Sequence, residues 1–231
     1  PFVPAHKIGS GDITWIEIIE HIASKGKPYI IASGASTLND VERAVNAALA
    51  INPQLCLMQC NTNYTASLDN FKFIQLNVLK TYREIYPDII LGLSDHTPGH
   101  TTVIGAVTLG AKIIEKHFTD DIGRKGPDHK FSMDSNTWKE MVNCTRELEN
   151  ALGQKIKKIE ENEKETVILQ RRSLRLTSDL VSGTTIEMKH LNALRPCEIN
   201  GIPPFEIKSV LGKKLCRDKF LGESLKWTDL K

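Results

Sequence analysis

The segment Ile89–Thr97 reads IILGLSDHT, and the segment Ala111–Phe118 reads AKIIEKHF. Each contains an apolar run that is followed by polar residues, and a histidine is among those polar residues. A continuous apolar run of this length is typical of a strand buried on both faces of a parallel sheet. Three earlier runs have the same character: AHKIGS (Ala5–Ser10), YIIAS (Tyr29–Ser33) and LCLMQC (Leu55–Cys60). The sequence therefore predicts five parallel strands.

Amphipathic stretches separate these apolar runs. Trp15, Ile18 and Ile22 recur at helical spacing and predict a first helix. Thr37 and Asn39 are candidate N-caps for a second helix, and further helices are predicted over Phe71–Tyr86 and Thr101–Leu109. A fifth helix is predicted to begin near Asp134 and to stop at Gly153. Alternating strands and helices predict a parallel α/β fold. Five units fit either a doubly wound sheet or part of a (β/α)8 barrel, and the pattern alone does not choose between them.

The domain organisation follows from a change of composition after the fifth helix. Residues 1–154 contain the strand–helix units, and residues 155–168 include the highly charged run KIKKIEENEK, which predicts a solvated linker. Residues 169–231 contain short alternating segments between glycines and prolines, which predict a small β-rich domain. Because Pro1 rather than Met opens the chain, we expect it to be part of a longer protein.

Composition limits the possible classes of function. The 231 residues carry 30 Lys and Arg against 28 Asp and Glu, so no strong charge predicts a nucleic-acid or membrane partner. No apolar run approaches the roughly 20 residues needed to cross a bilayer. The five cysteines are odd in number and form no Cys-x-x-Cys pair. Reduced thiols and a cytoplasmic location are the expectation.

Polar residues follow each predicted strand, at the end where α/β barrels carry their chemistry. His96 and His117 close neighbouring strands and would suit a divalent transition metal if they converge. The alternative is that each is an ordinary loop histidine. Asp128, in GRKGPDHK, is a candidate oxygen ligand or base, or else a turn aspartate after Gly-Pro.

A second group of residues predicts an anion site. Lys7 lies inside an apolar run, where a lysine is costly unless it meets an anion. Ser10 and Gly34 are small residues whose backbone would allow close approach of a phosphate, although no Walker or Rossmann motif is present. Arg195 could bind a carboxylate or carbonyl group, or could be a surface arginine.

Together these segments resemble the sialic acid synthase family, whose members make N-acetylneuraminate, legionaminate and related nonulosonic acids. The matching stretches occur in the family's order over essentially the whole chain. They are KIGSGD (Lys7–Asp12), GKPYIIASGAS (Gly26–Ser36), QCNTNY (Gln59–Tyr64), GLSDHT (Gly92–Thr97), EKHFTDD (Glu115–Asp121), GPDHKFSM (Gly126–Met133) and LRPCEINGIPP (Leu194–Pro204).

The resemblance implies a fold and a reaction. The fold would be the C-terminal part of a (β/α)8 TIM barrel, lacking the first three strands, followed by an SAF domain similar to type III antifreeze protein. The reaction would condense phosphoenolpyruvate with an N-acetylated hexose such as N-acetylmannosamine or a diacetylated analogue, with release of phosphate. The cofactor would be Mn²⁺ or another divalent cation such as Mg²⁺ or Co²⁺.

The resemblance also assigns roles by position. His96 and His117 look like the metal ligands, and Asp128 looks like the carboxylate beside metal and sugar. The implied substrate contacts are Lys7, Ser10 and Ser94 for phosphoenolpyruvate and Asp12, Tyr64 and Arg195 for the sugar. Asp12 stands where many members have Glu. Arg195 would reach the barrel of a partner subunit, which implies a domain-swapped homodimer.

Three other functions are compatible with parts of this pattern. One is a related barrel enzyme that condenses phosphoenolpyruvate with a sugar phosphate, which would need a second basic site. Another is a carbohydrate-binding or ice-binding module, although Lys208, Lys213 and Arg217 do not suit a flat ice-binding surface. The last is a catalytically incomplete fragment, because five strands without three more would leave sheet edges exposed.

Overall fold

The computed structural model describes residues 2–231 and separates into two compact units, Pro1–Gln154 and Lys155–Lys231. In the first unit, strands and helices alternate along the chain. The elements are β1 (His6–Ile8), α1 (Ile16–Ala23), β2 (Tyr29–Ala32), α2 (Leu38–Leu49), β3 (Leu55–Cys60), α3 (Val78–Ile85), β4 (Ile90–Asp95), α4 (Thr101–Thr108), β5 (Ile113–Lys116) and α5 (Ser135–Leu152).

The five strands form one parallel sheet whose spatial order follows the chain, from β1 to β5. The sheet is strongly curled. Lys7 on β1 and Glu115 on β5 belong to opposite edge strands, yet Lys7 Nζ lies 2.6 Å from Glu115 Oε1. In a flat sheet, four strand spacings would separate these strands by about 19 Å. The predicted parallel α/β fold is therefore confirmed as a half-barrel rather than a flat, doubly wound sheet.

Both faces of this sheet are covered, as the apolar runs predicted. All six residues of β3 are buried. Leu57 belongs to a core that it shares with Val45 of α2 and Leu79 of α3. Its neighbour Met58 belongs to a separate cluster with Ala32 on the other face of the sheet. Successive side chains of a strand point to opposite faces, so the two clusters mark the helix side and the interior side of the half-barrel.

Two helix boundaries follow the predicted capping chemistry. The Thr37 hydroxyl accepts a hydrogen bond from the backbone N–H of Asp40, whose carboxylate accepts one from Thr37 N–H in return. Asp134 caps α5 in a similar way, and Gly153 ends it with a positive φ of 51°. Among residues 2–231, no helix combines the length and the apolar character that a membrane span requires.

The helix predicted over Phe71–Tyr86 is wrong in its first half. The chain forms a 3-10 turn at Leu68–Phe73, passes through Gln75 at a φ of 51°, and only then enters α3. The physical reason lies in β3. The side-chain amide of Gln59 donates a hydrogen bond to the carbonyl oxygen of Ile74 at 2.9 Å. In a continuous helix that oxygen would instead accept a hydrogen bond from the backbone N–H four residues later.

The second unit contains α6 (Lys164–Gln170), the antiparallel strands β6 (Ser173–Leu176) and β7 (Leu191–Leu194), and the short helix α7 (Ile207–Val210). Residues 155–168, predicted as a linker, include the start of α6. The unit has its own apolar core. Its buried members are Leu174, Leu176, Ile186, Leu191, Ile202, Val210, Leu215 and Leu225.

Gly92 predicts a stability effect that depends on the close packing of β3, β4 and β5. A Cβ atom at this position would lie 2.6 Å from the Ile113 carbonyl oxygen and 2.9 Å from Met58 Cγ. Gly92→Ala is expected to destabilise the protein by about 1–3 kcal/mol, because backbone cannot move aside cheaply. Thermal denaturation followed by circular dichroism measures this. Gly9→Ala is the control, since nothing lies within 4 Å of its added Cβ, and an unchanged melting temperature for Gly92→Ala would contradict the packing.

Candidate active site at the carboxyl ends of the strands

The two histidines predicted as metal ligands lie side by side. His96 follows β4, His117 follows β5, and their ring centroids are 5.1 Å apart. Residues of adjacent parallel strands meet here because Asp95 pairs with Lys116 in the sheet, one residue before each histidine. The structure thus brings together two side chains that are 21 positions apart in the sequence, at the strand ends where barrel enzymes have their active sites.

The neighbours of His96 decide which nitrogen of its neutral ring carries the hydrogen. Its Nδ1 lies 2.9 Å from the backbone carbonyl oxygen of Asn61, which can only accept a hydrogen bond. In the neutral ring Nδ1 therefore carries the hydrogen and Nε2 keeps its lone pair. A hydrogen bond from the second ring nitrogen to a carbonyl is the usual way in which proteins orient a metal-binding histidine.

The pKa values of the two rings are shifted in opposite directions. Burial and the charge of neighbouring His96 lower the pKa of His117. Burial also acts to lower the pKa of His96, but hydrogen bonds to Cys60 and to the Asn61 carbonyl outweigh it, so this pKa is raised. His117 is therefore the ring that more readily keeps both its lone pair and its neutral state for a metal ion.

Aromatic rings surround the pair. Tyr64 lies 4.5 Å from the His96 ring and 6.0 Å from the His117 ring, centroid to centroid. Phe131 is fully buried and packs edgewise on both histidines, at 5.9 Å and 5.0 Å. Burial raises the pKa of Tyr64, assisted by the charges of Cys60, Asp128 and Glu115, so its phenol stays protonated. The site therefore combines aromatic side chains with a few polar groups, as small-molecule sites generally do.

Asp128 joins the histidines from the loop that follows β5. Its Oδ2 lies 3.4 Å from His117 Nδ1, and its side chain is 49% exposed. The loop is tied back to the strand end: Met133 N–H donates to the His117 carbonyl and Thr119 N–H donates to the Met133 carbonyl, both at 2.9 Å. These bonds fix both ends of the loop and hold Asp128 over the site.

The residues predicted to bind an anion come from two parts of the half-barrel. Lys7 and Ser10 belong to β1 and the turn after it, whereas Ser94 lies on β4, two residues before His96. Lys7 extends across the interior to Glu115, and the N–H of Gly34 donates to Ser10 Oγ at 2.9 Å. Ser94 is buried in the sheet between Cys60 and Glu115. Gly34 must be glycine, since a Cβ there would lie 1.9 Å from Thr62 Oγ1.

Asp12 stands apart from this group, because it lies exposed in the 3-10 turn Ser10–Asp12, after β1. Arg195 belongs to the second unit, where its Nε donates to the Gln170 carbonyl at 2.6 Å. Within the first unit, the fold brings together seven of the predicted residues: Lys7, Ser10, Tyr64, Ser94, His96, His117 and Asp128.

The geometry bears on which ions the site could hold. Within residues 2–231, no group of three or more His, Cys, Asp or Glu side chains is arranged to hold a metal ion. The two imidazoles and the nearby Asp128 carboxylate are nevertheless suitable donors for a divalent cation whose other positions are filled by water or substrate oxygens. The donor set thus fits an open, catalytic type of site better than a closed structural one.

Glu115 is a site residue that the sequence places at a polar strand end but to which it assigns no role. It lies two residues before His117, and strand alternation places both on the interior face of β5. The spacing of Glu115 and His117 can be read from the sequence. The pairing of Glu115 with Lys7 cannot be predicted from it, because the two residues are 108 positions apart and meet only through the curl of the sheet.

The chain is similar to a known family and to several of its members. The NeuB family matches residues 1–157. The chain is 37% identical to N,N'-diacetyllegionaminic acid synthase of Legionella pneumophila, over 96% of this chain and 62% of that protein. It is 32% identical to human N-acetylneuraminate-9-phosphate synthase, over 92% of this chain and 58% of that protein. The chain thus spans about three fifths of the length of these relatives.

Solved structures show the same fold. The crystal structure of a putative spore coat polysaccharide biosynthesis protein E from Chromobacterium violaceum superposes with a TM-score of 0.72 at 20% identity, over 99% of this chain and 68% of that one. The N-acetylneuraminic acid synthetase of Leptospira borgpetersenii, solved with citrate, superposes with a TM-score of 0.65 at 28% identity, over 72% of this chain and 57% of that one. With the family match covering more than half of its residues, this chain belongs to the NeuB family.

Proposed function

We propose that the protein is a phosphoenolpyruvate-dependent nonulosonic acid synthase, which condenses phosphoenolpyruvate with an N-acetylated amino sugar and releases phosphate. The observation that carries this proposal is the pair of histidines on adjacent strands, with Lys7 reaching Glu115 two residues before His117, in a chain of the NeuB family. The histidines offer ligands for a cation, and Lys7 offers a positive charge for an anion.

Lys7, Ser10 and Ser94 would bind phosphoenolpyruvate. Lys7 supplies an ammonium group that makes charge-assisted hydrogen bonds to phosphate or carboxylate oxygens. Ser10 and Ser94 supply hydroxyls on the same interior face. In the free protein Lys7 is already paired with Glu115, so an arriving anion must exchange with that carboxylate.

The ends of β4 and β5 would bind the sugar aldehyde. A divalent cation held by His96 and His117, Mn²⁺ or else Mg²⁺ or Co²⁺, would supply Lewis-acid polarisation of the aldehyde oxygen. Tyr64 presents its ring and phenol beside both histidines, and Asp128 presents a carboxylate at the open side. C3 of phosphoenolpyruvate would attack the aldehyde carbon, water would add at C2, and the bond from C2 to the phosphate oxygen would break. Holding both substrates together supplies much of the rate.

The second unit is proposed to be an SAF domain that completes the site in a homodimer. Its Arg195 would reach the barrel of a partner subunit and contact the N-acetyl group. Asp12, exposed after β1, would contact the sugar from the barrel. The five free thiols suit a reducing compartment, which supports a cytoplasmic enzyme.

The proposed reaction predicts phosphate release from phosphoenolpyruvate that depends on both a sugar and manganese. The full-length gene product would be tested with N-acetylmannosamine, its phosphate and a diacetylated legionaminate precursor, because the Legionella relative is named for diacetyllegionaminate. Phosphate is measured by a coupled colorimetric assay, and unacetylated mannosamine is the control. Release with one acetylated sugar alone is expected and would name the substrate. No release from folded, manganese-loaded protein would leave a binding module or an incomplete catalyst.

A further inference from the structure

A buried ion pair lies directly behind the two histidines. Lys116 Nζ is 2.8 Å from Asp95 Oδ2, and both side chains have 0% exposure. The two residues are partners in the register of β4 and β5. Asp95 is followed by His96 and Lys116 by His117, so each member of the pair is covalently adjacent to one histidine.

Strand alternation places the pair on the opposite face of the sheet from the site. Leu93, two residues before Asp95, belongs to the core shared with the helices. Ile113, three residues before Lys116, belongs to the interior cluster. Asp95 and Lys116 therefore share the helix side, and neither side chain contacts a substrate bound between the histidines.

Two threonines close the network around the ion pair. Asp95 accepts hydrogen bonds from Thr102 Oγ1 at 2.6 Å and from Thr97 N–H at 3.2 Å. Lys116 also donates to the backbone carbonyl of Thr97. The residues before and after His96 are thus both bound to one ammonium group, which itself is carried by the residue before His117.

Stability alone does not account for such a pair. Removing two charges from water is costly, and buried ion pairs can often be replaced by uncharged residues of similar volume without loss of stability. A buried ion pair can instead serve to hold two elements of a protein in one specific arrangement. The feature shared by its two members is their place next to His96 and His117.

We propose that Asp95 and Lys116 are positioning residues, which hold β4 and β5 in the one register that sets the spacing and orientation of the His96 and His117 rings. This inference rests on the function proposed above only where it concerns metal binding. The positioning of the rings is a property of the protein itself and can be measured without metal.

The test is the double variant Asp95→Asn with Lys116→Met. The asparagine side chain is not charged but keeps a carbonyl oxygen for Thr97 and Thr102, and methionine approximates the volume of lysine. The fold is therefore expected to remain while the tether between the strands is lost. The matched control is Asp69→Asn with Lys72→Met, the same chemical change in an exposed ion pair whose Nζ–Oδ1 distance is 2.6 Å. Both variants and the parent are prepared as the full-length protein.

Two measurements are made on each protein. Calorimetric titration with Mn²⁺ alone gives the dissociation constant, which is expected to rise roughly 10–100-fold in the double variant, as for other residues that orient metal ligands. Nitrogen-15 NMR of the imidazoles, without metal, is expected to show that the fixed Nδ1–H form of His96 becomes a mixture of tautomers. The control variant should match the parent in both.

Each outcome decides the inference. An unchanged manganese affinity together with an unchanged His96 tautomer would overturn it. If the parent binds no manganese, the proposed metal site fails and the imidazole spectrum alone decides the positioning role. If the double variant does not fold, Thr102→Val is used, which removes the hydroxyl that bonds to Asp95 and to Thr97 Oγ1 but keeps the ion pair. It should move the same two signals in the same direction by a smaller amount, and no movement would overturn the inference.

Discussion

Replacing His96 or His117 with alanine is expected to lower manganese-dependent phosphate release by roughly a thousandfold. Lewis-acid stabilisation by a bound cation contributes several kcal/mol, and about 4 kcal/mol corresponds to three factors of ten in rate. In the proposed site each ring would provide one of the two nitrogen ligands, so the loss of either would leave too few protein donors. The measurement is kcat for phosphate release in the presence of phosphoenolpyruvate and the active sugar, together with manganese content after dialysis.

The control for these variants is His21→Ala. His21 lies exposed in the last turn of α1, so its loss tests any general effect of removing an imidazole. It should leave both rate and manganese content at the parent values. Near-normal turnover in His96→Ala or His117→Ala, with inhibition by a chelator retained, would refute the ligand assignment while leaving a metal requirement elsewhere.

Lys7→Met is expected to weaken phosphoenolpyruvate binding by roughly 10–100-fold. Hydrogen bonds to a charged group contribute about 1.5–3 kcal/mol, and methionine keeps the length of the side chain without the ammonium group. The loss should appear in the dissociation constant for phosphoenolpyruvate measured by calorimetry, with little change in manganese affinity. A methionine there would also leave Glu115 without its partner, which repels an anion further.

Lys25→Met is the control for Lys7→Met, because Lys25 is exposed after α1 and carries the same charge. Glu115→Gln separates the two parts of the effect, since it removes the competing carboxylate and keeps Lys7. It should bind phosphoenolpyruvate at least as tightly as the parent. If Lys7→Met and the parent bind phosphoenolpyruvate equally tightly, Lys7 is not part of the anion site.

Much of the fold could be predicted from local features of the sequence. The continuous apolar runs indicated buried parallel strands, and the strands form where those runs lie. The capping residues Thr37 and Asp134 indicated where α2 and α5 begin, because the groups that satisfy the first N–H donors of a helix are local to it. The failure at Phe71–Tyr86 has a tertiary cause, the hydrogen bond from Gln59 to the Ile74 carbonyl.

The site divides in the same way. His96 and His117 stand out in the sequence because each ends an apolar run with a polar residue, and adjacent parallel strands bring such ends together. The partner of Lys7 could not be predicted, since it depends on how far the sheet curls. The ion pair of Asp95 and Lys116 was also unpredicted, because it depends on the register in which β4 and β5 pair, which the sequence does not give.

The sequence by itself determined the order of strands and helices, the candidate residues at the strand ends, and the family resemblance, because these depend on local periodicity and on short motifs. Only the tertiary structure decided that the sheet curls into a half-barrel, that Glu115 faces Lys7, and that a buried ion pair stands behind the histidines. The physical reason is the distance along the chain over which each interaction acts. Helix and strand propensity and helix capping act over a few residues, whereas the curvature of the sheet and the ion pairs depend on contacts between side chains far apart along the chain.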